Sequence, residues 1–396
     1  MTIGGGERVR RDPFPGWPVW GEEEERALLS VLRSGAWGLG GEFVARLGGA
    51  FAEYVSCSYC IPCMNGTVSL KVSLEALGIG EGDLVVTTPY TFVATTTAII
   101  ELGAIPYYVD LEPGGVNIDA KLVGEAVENG ASAILPVYVG GHPADMDALT
   151  EVSRTHNIPI VEDAAEAHGA EWRGRRVGGL GTLGCFSFQS SKVMTSGEGG
   201  AITTNDPDLA DRCASLINCG RTRGADWYEG ETLGYNYRMT EFQAAVLLAQ
   251  LERLDGQIER REKNFELLSS LCRELEGFYL IRPRPEATRV PHYLVMVRMR
   301  RDYWGDMPKR RLVEALRAEG LPASLGWPVP LHRHKPVKDY LERKGMRVRP
   351  ETLSNAEEAA SSTIFIHHRV LLGSDKEAED VFRILQKIER HRDDIQ

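Results

Sequence analysis

Short apolar, β-branched runs recur between residues 84 and 204, at 84–88, 105–110, 133–139, 158–162, 184–188 and 200–204. Continuous apolar runs of this length suit strands buried on both faces. Between them the pattern turns helical. Residues 67–77 carry apolar side chains at Val68, Val72 and Leu74 ahead of Gly78, and residues 241–254 predict a strong helix with Gly256 close to its end. Strands alternating with helices predict a mainly parallel sheet with helices on both sides. Beyond about residue 255 the character changes. Residues 258–275 continue helical and charged, a proline-punctuated stretch follows at 281–291, and the rest mixes short strands with helices. The expected division is a large α/β domain over residues 1–255 and a smaller α+β domain over residues 256–396.

Composition narrows the function. The 396 residues are 43% apolar and 26% charged, ordinary for a soluble globular chain with a sizeable core. Lys plus Arg number 45 against 56 Asp plus Glu, a net charge of −11. That balance disfavours sequence-independent nucleic-acid binding, which rests on cationic phosphate contacts. It equally disfavours polybasic attachment to a membrane surface. No stretch is long and apolar enough to span a bilayer. The opening MTIGGGERVRRDPFPGW lacks the apolar core of a signal peptide, so the expected location is the cytoplasm. Seven scattered Cys do not form a disulfide framework. Cys57, Cys60 and Cys63 cluster, but no fourth ligand lies near for a metal site, and packed thiols are expected. Gly179-Leu-Gly-Thr-Leu-Gly184 matches a dinucleotide fingerprint. It precedes a strand instead of joining a strand to a helix, so the context for a nicotinamide site is missing.

Four features carry chemistry. Lys192 follows a strand ending near Phe188, among small and Gly residues. Ligands bind outside the carboxyl ends of strands in open α/β sheets, and a Lys held there can form a Schiff base. Alone, it reads first as a solvated surface lysine, as most lysines do. Asp163 ends the run 158–163. A carboxylate at the end of a buried strand needs a partner, such as a protonated pyridine nitrogen, or else it caps the next helix. Asn65-Gly66-Thr67 opens the 67–77 helix, a place that suits a phosphate although plain capping is the commoner explanation, and Ser187 adds a hydroxyl five residues before Lys192. Phe92 follows a strand and suits either stacking on a flat ring or core packing. Together these describe a phosphate anchor, a stacking face, a nitrogen partner and a Schiff-base lysine.

The stretches Asn65-Gly-Thr67, Pro89-Tyr-Thr-Phe92, Glu162-Asp-Ala-Ala-Glu-Ala-His-Gly169, Phe186-Ser-Phe188, Lys192, Gly197-Glu-Gly-Gly200 and Gly234-Tyr-Asn-Tyr-Arg-Met-Thr-Glu-Phe-Gln243 resemble the DegT/StrS family of pyridoxal-phosphate-dependent aminotransferases. The resemblance covers essentially the whole chain. It implies an aspartate-aminotransferase-like fold, whose large domain holds a mainly parallel seven-stranded sheet, with a smaller α+β C-terminal domain. It implies pyridoxal 5′-phosphate as cofactor, Lys192 as the lysine bonded to it, and Asp163 as partner of its ring nitrogen. Phe92 takes the stacking position, where many members have Trp. Gly66, Thr67 and Ser187 match the phosphate cradle. Asn236 matches an Asn that reaches a phosphate of the neighbouring subunit, which implies a homodimer with shared sites. Glu166 stands where many members have Gln or His near the ring hydroxyl, and a Glu there needs a proton to donate. His332 matches a substrate-pocket His of the small domain, although a solvated loop His reads as well. His367 and His368 are expected to pack structurally, because adjacent strand residues point to opposite faces.

The segments Phe188-Gln-Ser-Ser-Lys192, Phe365-Ile-His-His-Arg-Val-Leu-Leu372 and Pro15-Gly-Trp-Pro18 narrow the resemblance. They look like the glutamine:scyllo-inosose and 2-deoxy-scyllo-inosose aminotransferases, and equally like 3-amino-5-hydroxybenzoate synthases. A compact polar ring ketone is implied, with a cyclitol favoured over a nucleotide-linked ketosugar, and L-glutamine or L-glutamate as donor. Ping-pong kinetics are expected. Dehydratases of the family replace the cofactor lysine with His, so Lys192 argues against that activity. A non-catalytic, cofactor-binding regulator is the remaining rival.

Overall fold

The computed structural model describes residues 6–222, 230, 232–345 and 352–395. The apolar runs become strands. In chain order these are β1 (Tyr59–Cys63), β2 (Leu84–Thr87), β3 (Ile105–Tyr108), β4 (Ala131–Leu135), β5 (Val161–Asp163), β6 (Leu183–Ser187) and β7 (Gly200–Thr204). All residues of β5, β6 and β7 are buried, as continuous apolar runs require. Strand β5 runs parallel to β6, while β7 lies between β6 and β1 and antiparallel to both. Strand β2 is parallel to β3 and β4.

The expected single sheet appears as a four-stranded sheet (β1-β7-β6-β5) and a three-stranded sheet (β3-β2-β4). Isolated parallel bridges, Ile134 to Ile160 and Val137 to Asp163, join them. Pro136 and Pro159 sit at this junction. They have no N–H to continue a ladder, so their carbonyls accept single bonds from Asp163 and Ile134, both at 2.9 Å.

Alternate residues of β6 feed different cores. Phe186 joins Leu47, Phe51, Leu247 and Ile258 on one face, and Cys185 joins Leu70, Val85, Val161 and Ile202 on the other. The helix Gly66–Ala76 lies over the second face. The Gly179–Gly184 segment has a structural task. The N–H groups of Gly178, Leu180 and Gly181 and the Tyr138 hydroxyl all donate to the buried carboxylate of Glu162, at 2.7–2.8 Å. Burial pushes that carboxyl upward, partly offset by these donors.

The helix beginning at Glu241 does not stop near Gly256. It runs to Leu271, 31 residues, from a Thr240–Gln243 capping box, so residue 255 falls inside one continuous element. A Cβ at Gly256 would meet nothing within 4 Å. An open glycine costs a helix only about 1 kcal/mol, and Leu254, Ile258, Phe265 and Leu268 keep a buried stripe through it. Further on, β8 (Phe278–Leu280), β9 (Leu294–Met299), β10 (Ala323–Ser324) and β11 (Thr363–His367) form an antiparallel sheet in the order β8-β9-β11-β10. Its core includes Phe265 of the long helix and, from the other end of the chain, Phe14. A further cluster brings Tyr90 and Tyr108 together with Met296, Leu331 and Phe365. No helix among the described residues is long and apolar enough to cross a membrane.

Candidate active site

Asp163 closes β5, and only 4% of it is exposed. Its Oδ2 accepts from Thr95 Oγ1 at 2.8 Å and its Oδ1 from the Ala165 N–H at 3.3 Å. Burial pushes its carboxyl up to about 6, against the opposing pull of Thr95 and of the charge on Lys192. This is an acceptor with room for one more donor.

Lys192 lies in a turn just past β6, where its N–H donates to the Gln189 carbonyl at 2.8 Å. Its Nζ stands 3.5 Å from Glu166 Oε1. Burial disfavours its charge, but Tyr293, Glu166 and Asp163 together hold its proton more tightly than usual. Glu166 is itself anchored, because its Oε2 accepts from the Gly140 N–H at 2.8 Å. Gly140 has a φ of +67°, and a Cβ there would sit 2.6 Å from the Met296 methyl, so the chain turns toward Glu166 only with glycine.

The phosphate-type features meet at the start of the Gly66–Ala76 helix. Asn65 caps it, its side chain accepting from the Val68 N–H at 2.9 Å. The first-turn N–H groups have no partners within the helix. A Cβ on Gly66 would stand 2.6 Å from the Ser187 Cβ, so glycine is what lets the helix end meet the end of β6. Thr67 is half-buried beside them. Phe92 is 59% exposed, which removes the core-packing reading. It lies two residues before the helix Ala94–Ile100 that carries Thr95.

Two expected residues stand apart. No hydrogen bond or ion pair among the described residues joins Asn236 or His332 to the Lys192 group. Asn236 is exposed and in a backbone bridge with Asn218. His332 is not a solvated loop residue. It is buried, and its Nε2 lies 3.0 Å from Glu357 Oε1, which Arg333 also contacts at 2.9 Å. Burial pulls its proton affinity down despite Glu357. Its turn is tied to the Phe92 region, because the Leu331 N–H donates to the Pro89 carbonyl at 2.8 Å.

His367 and His368 depart only from the strand alternation expected of them. Strand β11 ends at His367 and a 3₁₀ turn begins at His368, so the two rings lie side by side with centroids 4.4 Å apart. His368 reaches the Lys192 turn, with Nε2 3.1 Å from the Ser191 carbonyl. Thr95 and Tyr293 are site-building residues missed in the sequence, whereas His368 and Trp17 were noticed there only as parts of distinctive segments, without their role at the Lys192 turn. The cysteine cluster holds free thiols, with burial pushing Cys57 up to about 11 and Cys63 up to about 12.

The α/β fold and the chemistry of this site are those of an enzyme that transfers amino groups. The chain belongs to the DegT/DnrJ/EryC1/StrS aminotransferase family, whose profile matches residues 18–387. It is 38% identical to a putative L-glutamine:3-amino-2,3-dideoxy-scyllo-inosose aminotransferase of Streptoalloteichus tenebrarius, across 99% of this chain and 98% of the relative. It is 36% identical to an L-glutamine:2-deoxy-scyllo-inosose aminotransferase of Micromonospora echinospora, across 98% of this chain and 97% of the relative. Among solved structures, it resembles 3-amino-5-hydroxybenzoic acid synthase with a TM-score of 0.88 and 32% identity, across 96% of this chain and 99% of that one.

Proposed function

We propose that the protein binds pyridoxal 5′-phosphate at Lys192 and moves an amino group from L-glutamine to the keto group of a scyllo-inosose-type cyclitol. The observation that carries the cofactor assignment is the buried Asp163 carboxylate, pushed up to about 6 and facing the Lys192 side chain. A protonated ring nitrogen is the donor it lacks. The Gly66 start of the helix, which any Cβ would block against Ser187, fits the phosphate at the other end. When bound, the cofactor supplies an electron sink for charge developing at the substrate carbon.

The side chains then divide the work. Asp163 holds the ring-nitrogen proton. Phe92 stacks on the ring, Glu166 lines its Lys192 side, and Gly66, Thr67 and Ser187 hold the phosphate. Lys192 Nζ takes the proton from the donor carbon and, in the second half of a ping-pong cycle, returns one to the acceptor carbon. His332 offers a substrate hydroxyl an Nδ1 that has no hydrogen-bond partner among the described residues. Asn236 acts in a second subunit. The exposed apolar residues Trp20, Leu32, Trp37 and Leu39 support that homodimer. So does a groove of about 540 Å³ whose lining includes Leu39, Arg238 and Met239, beside Asn236.

The cyclitol acceptor is supported by the names of the two relatives above. A 3-amino-5-hydroxybenzoate synthase-like activity is the second reading, supported by the structural likeness to that enzyme. Loaded protein is mixed with L-glutamine and then with scyllo-inosose while the visible absorbance is followed. The band is expected to fall and then to return. A fall without return, or faster turnover of a nucleotide-linked ketosugar, overturns the acceptor. Absence of a band overturns the role of Lys192.

A further inference from the structure

The turn that carries Lys192 is clamped by three side chains from distant parts of the sequence. Trp17 Nε1 donates to the Ser190 carbonyl at 3.0 Å. His368 Nε2 lies 3.1 Å from the Ser191 carbonyl, and the Tyr293 hydroxyl lies 2.8 Å from Ser191 Oγ. Gln189 fixes the direction of the last bond. Its Oε1 accepts from both the Ser191 N–H, at 2.8 Å, and the Ser191 hydroxyl, at 2.7 Å. The serine proton is therefore used, and Ser191 accepts from the Tyr293 hydroxyl.

With its hydroxyl committed to Ser191, Tyr293 turns its ring toward the lysine. Lys192 Nζ stands 4.5 Å from the ring centroid, within cation–π range. The backbone just before this tyrosine is unusual. His292 has a φ of +46°, a left-handed conformation that a non-glycine residue adopts at a cost. The His292 ring is pinned there, stacked on Phe265 with centroids 3.9 Å apart at 17°. The other titratable groups around Lys192 are Glu166, at 3.5 Å, Asp163, and His168, which burial keeps neutral by pulling it down to about 3.

We infer that Tyr293 is a positioning residue for Lys192: its ring face seats the amine whenever that amine is charged and unbonded, and its hydroxyl, through Ser191, sets the turn that aims it. The catalytic meaning rests on the cofactor reading above, whereas the contact itself does not.

Two variants separate ring from hydroxyl. Tyr293→Phe keeps the ring, and Tyr293→Leu removes it. Tyr293→Met fills the volume without a ring and serves if the Leu variant folds poorly. The readout is the pH dependence of Lys192 acylation by trace acetic anhydride in the full chain, followed by mass spectrometry with the other lysines as internal standards. Losing the ring removes a stabiliser of the charged amine, so the midpoint in the Leu variant is expected to fall by about one pH unit, a tenfold loss of proton affinity. The Phe variant is expected to keep the original midpoint. An unmoved midpoint in the ring-less variants overturns the proposal, as does an equal shift in the Phe variant. The visible band of the cofactor-loaded protein is recorded alongside. Its absence in the unmodified protein refutes the cofactor reading, and the acylation arm still decides the role of Tyr293.

Discussion

Asp163 is a carboxylate built for a partner. Two donors reach it, and burial still leaves its carboxyl near 6, above its ordinary value of 3.8. A raised folded-state value means that Asp163 favours the cofactor-free fold at low pH. That contribution is complete below about 4 and is lost as pH rises through 6. The shift corresponds to about 3 kcal/mol. Cofactor-free Asp163→Asn is therefore expected to melt above the unmodified protein at pH 8, with the gap closing between pH 6 and 4, as thermal unfolding at several pH values will measure. In the loaded protein the order reverses, because the variant offers no charge to the ring nitrogen, and kcat is expected to fall about a hundredfold or more. At this scale the residues proposed to hold the cofactor could be picked out in the sequence, since each sits at an element end whose chemistry shows in a few consecutive letters. The roles of Thr95, Tyr293 and His368 were not legible, although the His367-His368 pair itself stood out. Each acts on a residue far along the chain, and no local pattern announces a partner 68, 102 or 177 positions away.

At the level of elements, the alternation of strand and helix was readable because buried strands have no polar face to disguise them. The errors have separate causes. Gly256 looked like a stop, yet the apolar stripe on both sides outweighs one exposed glycine. The β4–β5 junction depends on two prolines whose effect is felt across the sheet, not along the chain. The adjacent histidines lie where a strand gives way to a 3₁₀ turn, and there the alternation rule ends. The contact between the Gly66 helix start and β6 is the joint proposed to hold the phosphate. Gly66→Ala puts a methyl 2.6 Å from the Ser187 Cβ. One element must move, at about 1–3 kcal/mol. Cofactor affinity, measured by fluorescence titration, is expected to weaken at least tenfold, with secondary structure by circular dichroism unchanged.

For the whole molecule, the acidic composition and the absence of a long apolar span were informative mainly by exclusion. The second subunit was legible only through resemblance at Asn236. The exposed Trp20, Leu32, Trp37 and Leu39 are the apolar surface that the proposed dimer would cover. Sedimentation is expected to give a dimer. The double variant Leu32→Glu, Trp37→Glu is expected to sediment as a monomer and to lose the pyridoxal phosphate that the dimer retains through gel filtration, since each monomer then lacks its neighbour's Asn236.

The start of the chain also bears on how the enzyme comes into being. Arg10 pairs with Glu377 and Asp380, both at 2.9 Å, Phe14 packs in the C-terminal core, and Trp17 grips the carbonyl of Ser190. Arg10 leaves the ribosome 370 residues ahead of Asp380. Chains fold largely from the N-terminus as they are synthesised, yet the Arg10 pairs cannot form until the helix that carries Glu377 and Asp380 exists. The set of clamps on the lysine turn is likewise complete only after His368, 177 positions beyond Ser191, has been made. A nascent chain carries every catalytic letter long before it can assemble the site they encode.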